Sequence, residues 1–126
     1  MVKVIYYDLA TTDRQPLSGP NGVEIVQIGA ICRHTRNGRR IQKKLNIFII
    51  PTCDISPHAT KDNGLTREDL IEREGQNNVF QPRSGLQKFM HFLNNQRKFD
   101  HERIFLVSFF FIYSLRPSAF THSKIQ

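Results

Sequence analysis

Apolar and polar positions alternate between two regimes along this chain. Residues 2–8 are rich in β-branched and aromatic types, which predicts a strand buried on both faces. A loop follows over residues 13–22, marked by Pro16, Gly19, Pro20, Asn21 and Gly22. Residues 23–33 are apolar again and predict a second strand. His34 to Arg40 is a turn holding Asn37-Gly38, the strongest short hairpin signal. Residues 41–50 predict a third strand, ending Phe48-Ile49-Ile50 before Pro51. The second and third strands should therefore pair antiparallel.

The pattern then changes period. Residues 51–65 read as irregular, with Pro51, Pro57 and Asn63-Gly64. Thr66 is placed to cap a short helix over about 66–74, with Asp69 in the capping-box position. A polar loop is expected over 75–83. Ser84 then opens a longer helix, with Gln87 at the box position. Leu86, Phe89, Met90 and Leu93 recur at i, i+3, i+4 and i+7 and predict the core-facing stripe of that helix. Residues 103–108 predict a fourth strand. Three strands, then helices, then a strand make an α/β fold.

Composition narrows the class. With 126 residues the chain is expected to form one domain with a modest core. Its 18 Lys and Arg exceed its 11 Asp and Glu, a formal net charge of +7, and suit a polyanionic partner, since neutralised phosphates release counterions. Charge alone leaves open a basic protein with no nucleic-acid role. Cys32 and Cys53 show no zinc or disulfide spacing, so a reducing, intracellular setting in the cytoplasm or nucleus is expected. No secretory signal is expected over the first residues. The apolar run Ile104 to Leu115 is shorter than a membrane-spanning helix needs and is interrupted by Ser108 and Ser114, so no membrane partner is expected.

Candidate chemistry concentrates at the end of the first strand. Asp8 stands there as a lone carboxylate, which on composition alone reads as a turn residue or cap partner. If the strand persists past Asp8, residues 8 and 10 share a face. Asp13 is the nearest further acid, and Glu24 heads the second strand, where it reads as an exposed strand-start residue. His34, His58, His91, His101 and His122 show no ligand spacing and read as surface or half-buried histidines. Arg33, Arg36, Arg39, Arg40, Lys43 and Lys44 form a stretch without acids on the hairpin. Two readings are open for it: a track for a phosphate backbone, or a solvated edge hairpin whose charge prevents pairing with other chains.

The order Val4-Ile5-Tyr6-Tyr7-Asp8-Leu9-Ala10-Thr11-Thr12, then Glu24-Ile25-Val26-Gln27-Ile28-Gly29-Ala30-Ile31, then Ile50-Pro51, Ile55, Ala59 and Gly64-Leu65-Thr66, resembles the first half of the DEDDh (DnaQ-like) 3′–5′ exonucleases of the ribonuclease H-like superfamily. The resemblance runs over roughly residues 3–108. It implies a ribonuclease H-like mixed sheet of order 3-2-1-4-5, with antiparallel strands 1-2-3 and a parallel fourth strand. It implies magnesium or manganese as cofactor, single-stranded DNA or RNA as partner, and Asp8 as metal ligand and catalytic carboxylate. Thr11 and Thr12, with Arg36, Arg39, Arg40, Lys43 and Lys44, are the candidate nucleic-acid contacts.

The chain departs from the family pattern where that pattern carries its chemistry. Its Asp-x-Glu becomes Asp8-Leu9-Ala10, so the second carboxylate is replaced by a methyl group. The family's His-Asn pair after the fourth strand is replaced by Phe109-Phe110-Phe111, and no acid follows Glu102. His122 and Lys124 do not match its final His and Asp motif. Two divalent ions need converging carboxylates, so an inactive site is expected. The expected organisation is a truncated exonuclease-like domain over 1–108 and a divergent tail over 109–126. Five aromatics between Phe105 and Tyr113 point to self-association through the fourth strand as an alternative. A hydrolytically dead RNA-binding module and a protein-interaction fragment are the competing functional readings.

Overall fold

The computed structural model describes residues 2–13, 23–76, 78–97 and 103–108. The expected loop beyond Asp13 and the expected tail over 109–126 lie outside these residues. The described residues form a mixed α/β fold around a five-stranded sheet. Its strands are β1 (Val2–Thr11), β2 (Ile25–Arg36), β3 (Arg39–Ile49), β4 (Val79–Phe80) and β5 (Arg103–Ser108), in the order β4-β3-β2-β1-β5. β1, β2 and β3 pair antiparallel, whereas β5 runs parallel to β1 and β4 parallel to β3. Among the described residues no helix is long and apolar enough to cross a membrane.

The hairpin turn is tighter than expected. Asn37 (φ 52) and Gly38 (φ 76) form it alone, with Arg36 and Arg39 already paired on either side. Both positive φ values match the twist of the flanking strands, which is why Asn-Gly serves so well here. β1 also outruns its apolar segment. Asp8, Leu9 and Ala10 continue the ladder opposite Gly29, Ile28 and Gln27, so pairing with β2 carries the strand on to Thr11.

One helix was hidden in the segment read as irregular. α1 (Pro57–Asn63) begins after Ser56, whose Oγ accepts from the Ala59 N–H at 3.1 Å, and ends at Gly64, which is left-handed at φ 73. Pro57 and Gly64 are therefore helix boundaries: a proline at the first position and a glycine past the last. α2 (Arg67–Glu72) starts as the sequence indicates, with Thr66 Oγ1 accepting from the Asp69 N–H at 3.2 Å. The polar loop over 75–83 is interrupted by β4, which pairs Val79 and Phe80 with Phe48 and Ile49.

α3 (Pro82–Gln96) corrects two expectations. It opens at Pro82 after Gln81, which makes no side-chain cap, and not at Ser84. Its buried side is rotated as well. Leu86 and Met90 are 48% and 55% exposed, while Gly85 and Gln96 are buried and Phe89, Phe92 and Leu93 pack on the sheet. Gly85 explains the rotation, because a Cβ there would lie 2.7 Å from Ile49 Cγ1 and 2.9 Å from Cδ1. The helix approaches β3 at the residue without a side chain. Gly85→Ala gains up to about 1 kcal/mol of helix propensity and loses about 1–3 kcal/mol to overpacking. The expected result is a net loss of stability in a urea melt; a gain would mean that Ile49 moves aside freely.

The middle of the sheet is covered on both faces. Phe48 points to one face, where Val26, Ile50, Ile55, Ala59, Leu65, Leu70 and Val79 join it in a cluster that brings in α1 and α2. Its neighbours Ile47 and Ile49 point to the other face, where α3 covers them together with Ile28, and covers Ile5, Ala30 and Cys32 beside them. Lys3 ties the start of β1 to the end of α3, donating to the Gln96 carbonyl at 2.6 Å. A cation there also meets the negative end of the helix dipole.

Candidate functional site

Asp8 lies inside β1, not at its end, half-buried and opposite Gly29. Gly29 in turn faces Asn46 of β3, so the row across the sheet reads Asp8, Gly29, Asn46. The next row reads Ala10, Gln27, Phe48. Alternation puts Asp8 and Ala10 on one face, the face of α1 and α2. Past Ala10 the register shifts: Thr11 pairs with Ile25, leaving Val26 as an extra residue in β2. That bulge turns Val26 toward the same face as Gln27, into the cluster that Ala10 also packs against.

The described sheet neighbours of Asp8 on this face, Ala10, Gln27, Gly29 and Asn46, bring no second carboxylate. Position 10 supplies a methyl group in contact with an apolar cluster. Beside Asp8 the oxygens come from carboxamides. Gln27, 3% exposed, donates from Nε2 to Asn46 Oδ1 at 2.8 Å, and its own Oε1 is buried with no hydrogen-bond partner among the described residues. Among the described residues no group of three or more His, Cys, Asp or Glu is placed to hold a metal.

Thr11 and Thr12 are held in the frame of the structure. Thr11 Oγ1 donates to the Asp13 carbonyl at 2.5 Å. Thr12 is fully buried, with Oγ1 accepting from the Glu24 N–H at 3.1 Å. Its backbone donates to the Glu24 carbonyl and accepts from the Ser56 N–H, both at 2.8 Å. A side chain so enclosed offers no surface to a strand of nucleic acid.

Glu24 is not the exposed strand-start residue it resembles in the sequence. Its carboxylate accepts from the Thr52 N–H at 3.1 Å, from Thr52 Oγ1 at 2.9 Å and from Cys53 Sγ at 3.0 Å. The carboxylate thus clasps the loop that leads into α1. Burial pushes its carboxyl up, but the Cys53 thiol and the Thr52 donors together outweigh burial and hold it below the ordinary value of 4.5. The Cys53 thiol is pushed up, first by its hydrogen bond to Glu24, then by burial and by the nearby negative charges. Cys53 stays a protonated donor here, not a nucleophile. Burial likewise pushes up Cys32, and both cysteines are free.

A depressed carboxyl stabilises the fold above its ordinary value and loses that contribution as pH falls through the depressed one. Glu24→Gln should therefore melt lower than the parent at neutral pH, and the gap should close as pH drops below 4.5. Thermal melts from pH 7 to pH 3 check this. A gap independent of pH would mean that the carboxylate charge plays no part in the clasp.

The basic hairpin is exposed along Arg39, Arg40, Lys43 and Lys44; Arg36 contributes its backbone to the pairing with Arg39. The cations divide between the faces. Arg33, Arg40 and Lys44 belong to the face of Asp8, and Arg39 and Lys43 to the other. At the opposite side, β5 is the outermost of the described strands, with Phe105, Leu106 and Val107 at 52%, 50% and 37% exposed. His101 and His122 lie outside the described residues. Compared with protein-family models and with curated proteins, the chain matches none.

Proposed function

We propose that this chain is a nucleic-acid-binding domain related to the DEDDh exonucleases, with a ribonuclease H-like sheet and a hydrolytic site that no longer works. The observation that carries this reading is the pair Asp8 and Ala10 on one face of a central strand, with the methyl of Ala10 packed against the cluster of Phe48 and Val26. The sheet supports it further. β3, β2 and β1 are antiparallel neighbours and β5 is added parallel beyond β1, the arrangement that the resemblance implies. β4, on the far side of β3, is an addition to that pattern.

Binding in this reading comes from charge. The exposed cations of the hairpin follow the phosphates of a single strand of DNA or RNA, and catalysis plays no part. Each phosphate neutralised on a single strand adds about −0.7 to the slope of log affinity against log salt. Changing Arg39, Arg40, Lys43 and Lys44 together to Gln should flatten that slope by about 2 to 3. Fluorescence anisotropy with labelled DNA and RNA strands measures it. An affinity that ignores both salt and these four changes would end the nucleic-acid reading.

The edge strand favours a second reading. Three consecutive apolar side chains exposed on β5 offer a surface for strand pairing with a second protein or a second copy. Light scattering across a concentration series separates the two readings, since charge-driven strand binding leaves a monomer and edge pairing raises the mass.

A further inference from the structure

Two adjoining cross-strand pairs at the hairpin, Arg33 with Gln42 and Thr35 with Arg40, place four polar side chains on one face of it. With His34 and Ile41 they line a recess of about 510 Å³. No acid occurs anywhere from Arg33 to Gln42. Arg33 Nε donates to Gln42 Oε1 at 3.1 Å. This bond engages the carboxamide oxygen of Gln42 and one donor of Arg33. What the pair has left is mostly donors: the terminal guanidinium N–H groups and the carboxamide NH₂. Arg40 adds a second guanidinium and Thr35 a hydroxyl. The recess is therefore cationic, rich in donors and poor in acceptors.

That chemistry selects an anion with several acceptor oxygens. A phosphodiester carries one charge and two free oxygens, and its chain must leave in two directions. A phosphate monoester carries nearly two charges and three free oxygens, which two guanidinium groups match. We infer that the recess holds the terminal phosphate of a nucleic-acid strand, an assignment that rests on the nucleic-acid reading above. The placement suits it. Arg33 lies four residues along β2 from Gly29, the partner of Asp8, a span of about 13 Å. A strand anchored by its end at the hairpin has its body free to cross the face of Asp8.

The test uses the whole chain and single-stranded oligonucleotides with a phosphate at the 5′ end, at the 3′ end or at neither, followed by anisotropy. An end-phosphorylated strand should bind about tenfold more tightly than the unphosphorylated one. Arg33→Gln combined with Arg40→Gln should reduce that preference to less than about twofold. Lys43→Gln combined with Lys44→Gln removes the same charge and should weaken all three strands while keeping the preference. These side chains are at the hairpin surface, and a circular-dichroism melt verifies that each variant folds. Equal binding of the three strands by the parent overturns the recess assignment and leaves charge-driven binding intact, as does a preference that survives the paired arginine change. Thermal stabilisation by inorganic phosphate that the arginine variant loses, with no strand bound at all, overturns the nucleic-acid source while the phosphate recess stands.

Discussion

Phe48→Ala should remove about 3–5 kcal/mol of stability, a large share of the 5–15 kcal/mol that holds a typical domain together. Phe48 is fully buried where the layers meet. Its cluster holds Val26 of β2, Ala59 of α1, Leu70 of α2 and Val79 of β4, and Ala10 of β1 packs against it. The Arg73 guanidinium also lies over its ring, 4.9 Å from the centroid, and loses that contact when the ring is removed. The wall of the resulting cavity is drawn from both helices of this face and from several strands, so no single element can shift to fill it. The loss should appear in a urea melt as a lower midpoint with an unchanged slope. Leu86→Ala is the matched comparison. Its side chain is 48% exposed on α3, and its removal should change stability by no more than about 0.5 kcal/mol. Equal losses from the two variants would show that Leu86 is core after all and that the rotation of α3 is wrong.

The contrast between Phe48 and Leu86 shows what kind of information the sequence carries. Apolar runs locate β1, β2 and the end of β3, because a strand covered on both faces has few other ways to satisfy such residues; β5 shows an apolar run too, although most of its side chains stand exposed. Asn37-Gly38 and Thr66 mark their turn and their cap because those are local geometries decided by the residues themselves. The periodicity of α3 predicts a helix but leaves its rotation open. Leu86, Phe89, Met90 and Leu93 make a plausible stripe, and the choice falls instead to Gly85, whose close approach to Ile49 exists only in three dimensions. α1 was legible in principle. Ser56-Pro57 and Asn63-Gly64 are start and stop signals, but a segment of seven residues between two breakers reads as a loop unless both are taken together. The site divides in the same way. That Asp8 and Ala10 share a face follows from strand alternation. The clasp of Glu24 on Thr52 and Cys53 does not, since its partners lie 28 and 29 residues away.

On the proposed exonuclease reading, placing a carboxylate at position 10 should not produce hydrolysis. Ala10→Glu is expected to melt lower than the parent, by about 1–3 kcal/mol, and to release no nucleotides from a 3′-labelled strand in manganese. The stability loss has two sources. The new side chain must find room beside the cluster of Val26 and Phe48, which Ala10 now packs against. Its charge also arrives on the face that already carries Asp8, and two carboxylates two residues apart on a strand oppose each other's ionisation. The activity stays absent for a different reason. Phosphoryl transfer on two ions needs ligands that hold both metals and a base that activates water. Of those, position 10 supplies one carboxylate, while on the proposed resemblance Phe109 and Phe110 take the places of the family's His and Asn. The parent, with Asp8 alone, should likewise leave the strand intact. Melts with and without manganese, run beside the degradation assay, separate a folding defect from a missing ligand. Manganese-dependent loss of 3′ nucleotides by Ala10→Glu, abolished when Asp8→Asn is added, would show that other residues of the chain supply the remaining ligands.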